Sequence, residues 1–192
     1  VARIEDRSLW TWVPLTAAIA VLSAVERAAG AASRQNLPLR VKWPNDLWLE
    51  RNGSFAKWGG ILCEASSSLV IGLGLNCESR PEGLDQATAS LAELSDSGES
   101  KITADRLRPE VIRELLAWLE ELRLRGPGRI ALAYEACAAF SPGTPVEWDS
   151  ASGGRARGEI LGLGEAAELR VRGESGEVLR LFAEDVRIRP RA

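Results

Sequence analysis

The 192-residue sequence contains no histidine and no methionine, and only three cysteines and one tyrosine. Without histidine there is no Ser-His-Asp triad, no histidine general base and no zinc site built on histidine. Any chemistry must run on Lys, Arg, Asp, Glu and backbone groups. Cys63, Cys77 and Cys137 form neither a C-x-x-C pair nor an even framework, so three reduced, mostly buried thiols of a cytoplasmic protein are expected. Positive charge is not in excess: 24 Lys and Arg face 27 Asp and Glu, for a net charge of −3. That balance gives no basic footprint for nucleic acid. It leaves room for an acidic small molecule held by a few placed cations.

Long hydrophobic runs are also lacking. Trp10–Val25 is the most apolar stretch, but it is shorter than the ~20 residues a bilayer span needs, and Pro14 interrupts it. Ala28-Ala29-Gly30-Ala31 resembles a signal-peptidase site, yet Glu5 and Asp6 stand where a leader is basic and Glu26-Arg27 follow the run. The segment is read as an amphipathic core helix, with no membrane association expected. Residue 1 is Val, which leaves open whether the sequence is a fragment or begins at a non-standard start codon.

What is present fits one globular domain, or one domain with a small appendage: 45% hydrophobic and 27% charged residues. Leu15, Ala18, Ile19, Leu22, Val25 and Ala29 recur at helical spacing and predict a helix over 14–29, with Pro14 in its first turn and Gly30 at its end. Short strands are expected at Leu39–Trp43, Asp46–Glu50, Trp58–Ala65 and Leu69–Cys77. Turns at Pro44-Asn45, Arg51–Ser54 and Ser66–Ser68 favour antiparallel hairpins. A short helix is expected near Thr88–Leu94. A long amphipathic helix through Leu107–Leu122 is closed by Gly126-Pro127-Gly128, and another helix follows over Arg129–Phe140. Beyond Ser141-Pro142-Gly143, period-two segments at Pro145–Asp149, Arg157–Leu163, Glu168–Arg172, Val178–Phe182 and Val186–Arg189 suggest a small SH3-like barrel.

Three groups of residues suggest chemistry. In Val70-Ile71-Gly72-Leu73-Gly74-Leu75-Asn76, alternation sends Ile71, Leu73 and Leu75 to the core and lines the other face with Gly72, Gly74 and Asn76. Two glycines on one face bare the backbone for a flat ring or for close packing of another backbone. Asn76 offers a donor and an acceptor to a ring edge. A G-x-G-x-x-G reading fails because Cys77 occupies the third glycine position. Lys42-Trp43-Pro44-Asn45-Asp46 sets a cation, a rigid turn and a carboxylate close together, for a site or for a surface ion pair. Lys57, ahead of Gly59-Gly60, opens a strand as a site cation or as a solvated charge.

KWPNDL (Lys42–Leu47), then K-x-x-G-I-L-x-E (Lys57–Glu64), then I-G-x-G-x-N (Ile71–Asn76), in this order and spacing, resemble the biotin–protein ligases. Lipoate–protein ligases share that fold, but KWPND is not associated with them. The resemblance implies an α+β fold. Residues 1–140 would form a catalytic domain with a mixed or antiparallel sheet and packed helices, and residues 141–192 the barrel. It also implies formation of biotinyl-5′-AMP from biotin and ATP with Mg²⁺, and transfer of biotin to a lysine of a biotin carboxyl carrier protein domain. Lys57 and Asp46 are then the catalytic candidates. Lys57, Gly59 and Gly60 would meet biotin, and Asn45, Gly72, Gly74 and Asn76 the nucleotide. Asp46 would orient the site, the metal or the incoming carrier lysine, and the residues that hold the metal are left open. The family's Gly/Arg-rich loop has no counterpart in residues 1–41, so an N-terminally truncated catalytic region is expected. A degenerate binding module, or a domain that dimerises through a bare sheet edge, stands as the alternative. No winged-helix domain supports a repressor role.

Overall fold

Small aliphatic residues fill helix α1 (Val13–Ala29) so completely that it is buried on nearly every side. The computed structural model describes residues 4–30, 37–94, 102–149, 154–183 and 189–190. A 3₁₀ segment, Arg7–Trp12, leads into α1, and Gly30 ends it at φ 87°. Together they make Arg7–Ala29 long and apolar enough to span a bilayer by length and composition, with a mean hydropathy of 1.6 over its most apolar window. The length therefore exceeds the sequence expectation, but 67% of that window is buried within the fold, as a core helix requires.

Four strands form an antiparallel sheet in the order β1 (Leu39–Lys42), β2 (Asp46–Arg51), β3 (Ser54–Ala65) and β4 (Leu69–Leu75). Asn52 and Gly53 make the β2–β3 turn with φ of 51° and 75°, the left-handed pair that suits a two-residue hairpin. This tight turn starts β3 four residues earlier than its hydrophobic pattern suggests. The expected core residues Ile71, Leu73 and Leu75 are only half-buried, because β4 is the outer strand of its sheet. The segment after β4 does not form a helix from Thr88. Ala87–Ala89 runs parallel to β3 instead, donating Ala89 N–H to Lys57 O at 2.9 Å and accepting from Lys57 N–H at Ala87 O at 2.9 Å. Only a 3₁₀ turn, Leu91–Leu94, remains.

Thr103 accepts from Arg106 N–H to start α2 (Ala104–Arg125), and Gly126 at φ 73° closes it. Helix α2 packs along α1. Helix α3 (Gly128–Cys137) stops three residues before its expected end, because Ala139 N–H donates to Val41 O on β1. The C-terminal strands β5 (Pro145–Asp149), β6 (Arg155–Leu163), β7 (Leu169–Gly173), β8 (Val178–Leu181) and β9 (Arg189–Pro190) form a second antiparallel sheet in the order β8-β7-β6-β5-β9. Among the described residues this sheet does not close, so the expected SH3-like barrel is corrected to an open sheet. Closure needs a matched strand tilt and stagger that alternation alone does not specify, and among the described residues β8 has no ladder partner on its outer side. Val186 to Ile188 of the last expected strand lie outside the described residues. One hydrophobic core runs from α1 through the first sheet to Val146, Trp148, Ile160, Leu169 and Val171 of the second.

Candidate functional site

The site begins with one extra residue in β3. Leu47 pairs with Gly59 but Trp48 pairs with Lys57, so Trp58 is a bulge. The bulge drives Trp58 fully into the core and turns Lys57 to the opposite face. Across β2, β3 and β4 on that face lie Asp46, Gly60 and Gly74 in one row, followed by Leu62 opposite Gly72. Lys57 Nζ lies 2.5 Å from Asp46 Oδ1, and Lys42 Nζ lies 3.9 Å from Asp46 Oδ2. Lys42 also sits 4.8 Å from the centre of the Trp48 ring. The carboxylate is therefore flanked by two ammonium groups.

Glycine makes the space. A methyl at Gly60 would lie 3.4 Å from Lys57 Cε and 3.5 Å from Asp46 Oδ1, so Lys57 lies across bare backbone there. At Gly74 the nearest atom to an added Cβ is Gly60 O at 4.0 Å, and at Gly72 it is Leu62 O at 3.5 Å. These two positions are open floor. Gly59 differs: its missing side chain points to the core, 2.8 Å from Gly74 O and 2.9 Å from Leu75 Cδ2, so only its main chain borders the groove. The resulting groove has a volume of about 900 Å³, and Asn45, Asp46, Lys57, Gly60, Gly72, Gly74 and Asn76 all line it.

The two asparagines are anchored. Asn45 donates its side-chain amide to Ile61 O at 2.7 Å and its main-chain carbonyl accepts Ile61 N–H at 2.8 Å, locking the Pro44 turn onto β3. Asn76 donates its amide to Ala89 O at 3.1 Å, so one of its donors holds the segment that walls the groove. That wall includes Pro81, Leu84, Asp85, Gln86 and Thr88, none of which the sequence singled out. Their placement depends on the bridge between Lys57 and Thr88, a long-range pairing that leaves no local signature. Leu62 and Leu84 are 61% and 59% exposed and give the groove an apolar rim.

Taken together, the groove offers a fixed cation, a carboxylate bound to it, a bare backbone floor and apolar edges. It can accept a flat ring with an attached anion. The cysteines take no part. Cys63, Cys77 and Cys137 are free thiols, and burial pushes Cys63 up to about 11 and Cys137 up to about 12. Among the described residues no group of three His, Cys, Asp or Glu side chains is placed to hold a metal.

No protein-family model matches the chain. A biotin–[acetyl-CoA-carboxylase] ligase of Mycobacterium tuberculosis is 34% identical over 128 residues, which is 66% of this chain and 44% of that relative. The chain therefore spans under half of its length. The enzyme of the same description from Paracoccus denitrificans is 31% identical over 179 residues, which is 88% of this chain and 69% of that relative. In fold, the chain matches a biotin protein ligase from Aquifex aeolicus in complex with biotin and ATP. The TM-score is 0.74 at 20% identity, over 94% of this chain and 72% of that one.

Proposed function

This chain belongs to the biotin–protein ligase family, and from that premise we propose that it carries the adenylation site of an ATP-dependent biotin–protein ligase. The reaction joins the biotin carboxylate to the α-phosphate of ATP, giving biotinyl-5′-AMP and pyrophosphate. Biotin then passes to the amine of a lysine on a biotin carboxyl carrier protein domain, and AMP leaves. The observation that carries this reading is the position of Lys57, held by Asp46 over Gly60 and beside the open floor at Gly72 and Gly74.

The first step brings two anions together and gathers charge on phosphoryl oxygens, which a preorganised cation offsets. Lys57 fills that role when its ammonium moves from Asp46 to the substrate carboxylate and phosphate. Asp46, released from Lys57, then becomes an acceptor for the incoming carrier lysine. Gly60 admits biotin close to the main chain, with Gly59 contributing backbone alone. Gly72, Gly74 and Asn76 form the adenine platform, and Asn45 fixes the hairpin beside it. Mg²⁺ would accompany the nucleotide phosphates. Asp46 faces two ammonium groups and makes a poor ligand, so no step is assigned to the metal.

In this reading residues 1–140 supply the site, residues 141–192 support it, and the protein works in the cytoplasm. Self-pairing along the outer strand β4 would give a homodimer, and a concentration-dependent mass checks that directly. Purified protein incubated with biotin, ATP, Mg²⁺ and apo carrier domain is expected to yield biotinylated carrier. Failure by the chain and by a version with the family's Gly/Arg-rich loop fused upstream would remove the ligase reading. Binding of biotin and ATP without product would leave a binding module.

A further inference from the structure

We infer that Glu168 is a positioning residue for this site, acting from the second sheet through the turn Gly164–Glu168 on the indole of Trp43 and the hairpin behind it. The inference rests on the function proposed above. Glu168 is the one buried charged residue among those described, at 3% exposure, and it lies far from Lys57 in sequence. Its Oε2 accepts Ala166 N–H at 2.9 Å and its Oε1 accepts Arg180 Nε–H at 2.7 Å.

The turn it braces is tight. Gly164 N–H donates to Glu168 O at 2.8 Å, and Ala167 N–H donates to Gly164 O at 3.2 Å. A side chain at Gly164 would run into the Glu168 carboxylate. Ala167 sits at φ 59°, a left-handed conformation that alanine rarely adopts and that surrounding contacts must impose.

Two carbonyls of this turn each receive a buried indole. Trp12 donates Nε1–H to Glu165 O at 2.9 Å, and Trp43 donates Nε1–H to Ala167 O at 2.9 Å. Burial alone does not guarantee such a partner here, since the buried indole nitrogens of Trp48 and Trp58 have none. Trp12 leads only into α1. Trp43 leads through Pro44 to Asn45, bonded twice to Ile61, and to Asp46, bonded to Lys57. A single buried carboxylate thus sets the carbonyl that sets Trp43, and Trp43 sets the pair that positions the site cation.

The shared turn supplies its own control. If Glu168 only joins the two sheets, losing the Trp12 bond and losing the Trp43 bond should have similar consequences. The test measures adenylate formation over a range of biotin and ATP concentrations up to saturation, with melting temperature alongside, for Glu168→Ala, Glu168→Gln, Trp43→Phe, Trp12→Phe and the Glu168→Ala/Trp43→Phe double variant. Glu168→Ala and Trp43→Phe should each slow the step by about tenfold or more, with KM changed little, because the loss is one of orientation. The double variant should be no slower than either single within about twofold, since both break one relay. Glu168→Gln retains an acceptor for Ala166 N–H and should recover most of the rate. Trp12→Phe should lower the melting temperature alone. Multiplying losses in the double variant, or a full rate in Glu168→Ala, would overturn the inference. A wild-type chain that makes no adenylate counts against the proposed function instead. Amide exchange at Ile61 then decides the inference alone: about tenfold faster exchange in Glu168→Ala supports it and unchanged exchange overturns it.

Discussion

Lys57 faces the groove because Trp58 occupies a bulge, and this local event separates what the sequence reveals from what it hides. Lys57, Asp46, Gly60 and Gly74 are legible as site candidates from residue type and spacing. That they share one face is not, since strict alternation from Gly60 would have sent Lys57 to the core side. Gly59 shows the reverse limit: its sequence context matches that of Gly60, yet its missing Cβ faces Leu75 and Leu47. Replacing Lys57 by Ala should cut adenylate formation by about a hundredfold or more, as loss of a preorganised charge partner does. The partly exposed pair with Asp46 contributes under ~1 kcal/mol to folding, so the melting temperature should barely move. The glycines separate in the same way. Gly74→Val should fold normally and lose nucleotide binding in calorimetry, while Gly59→Val should fold poorly because its side chain meets Gly74 O. Burial raises the thiols, so a disulfide reagent at pH 8 should modify the native chain far more slowly than the denatured one, where all three react. Equal rates would contradict the packing described here.

At the scale of elements, hairpins were legible because their turns carry their own instructions. Asn52-Gly53 both take positive φ, which forces the β2–β3 register and thereby the pairing of Asp46 with Gly60. Gly53→Ala should cost about 1–2 kcal/mol, since a side chain at φ 75° meets the strain of left-handed backbone. A melting temperature equal to wild type would show that the turn adapts. The wall of the groove was not legible, because Ala87–Ala89 gains its conformation from Lys57 backbone on another strand. The barrel was misread for a related reason. Period two reports strands and their faces, but closure depends on strand tilt and stagger, which alternation does not encode.

At the scale of the whole molecule, the two sheets meet at the Gly164–Glu168 turn, and the charge buried there makes the joint sensitive to acid. Burial pushes the Glu168 carboxyl up, but backbone N–H donors and the Arg180 guanidinium outweigh it and hold the group below the usual carboxylate range. A carboxyl lowered by folding stabilises the fold above its unfolded pKa, and that contribution is lost as pH falls through the folded value. The stability gap between wild type and Glu168→Gln should therefore be widest near neutrality and close in acid, as read from melting temperatures. A gap that widens in acid would contradict the placement of Glu168.

The groove itself is tested most directly by calorimetric titration with a biotinyl-adenylate analogue whose acyl phosphate is replaced by a stable linkage. One molecule should bind per chain, and binding should be lost in Gly74→Val at an unchanged melting temperature. Undiminished binding by that variant, or none by the wild type, would contradict a slot floored by Gly72 and Gly74 and headed by Lys57.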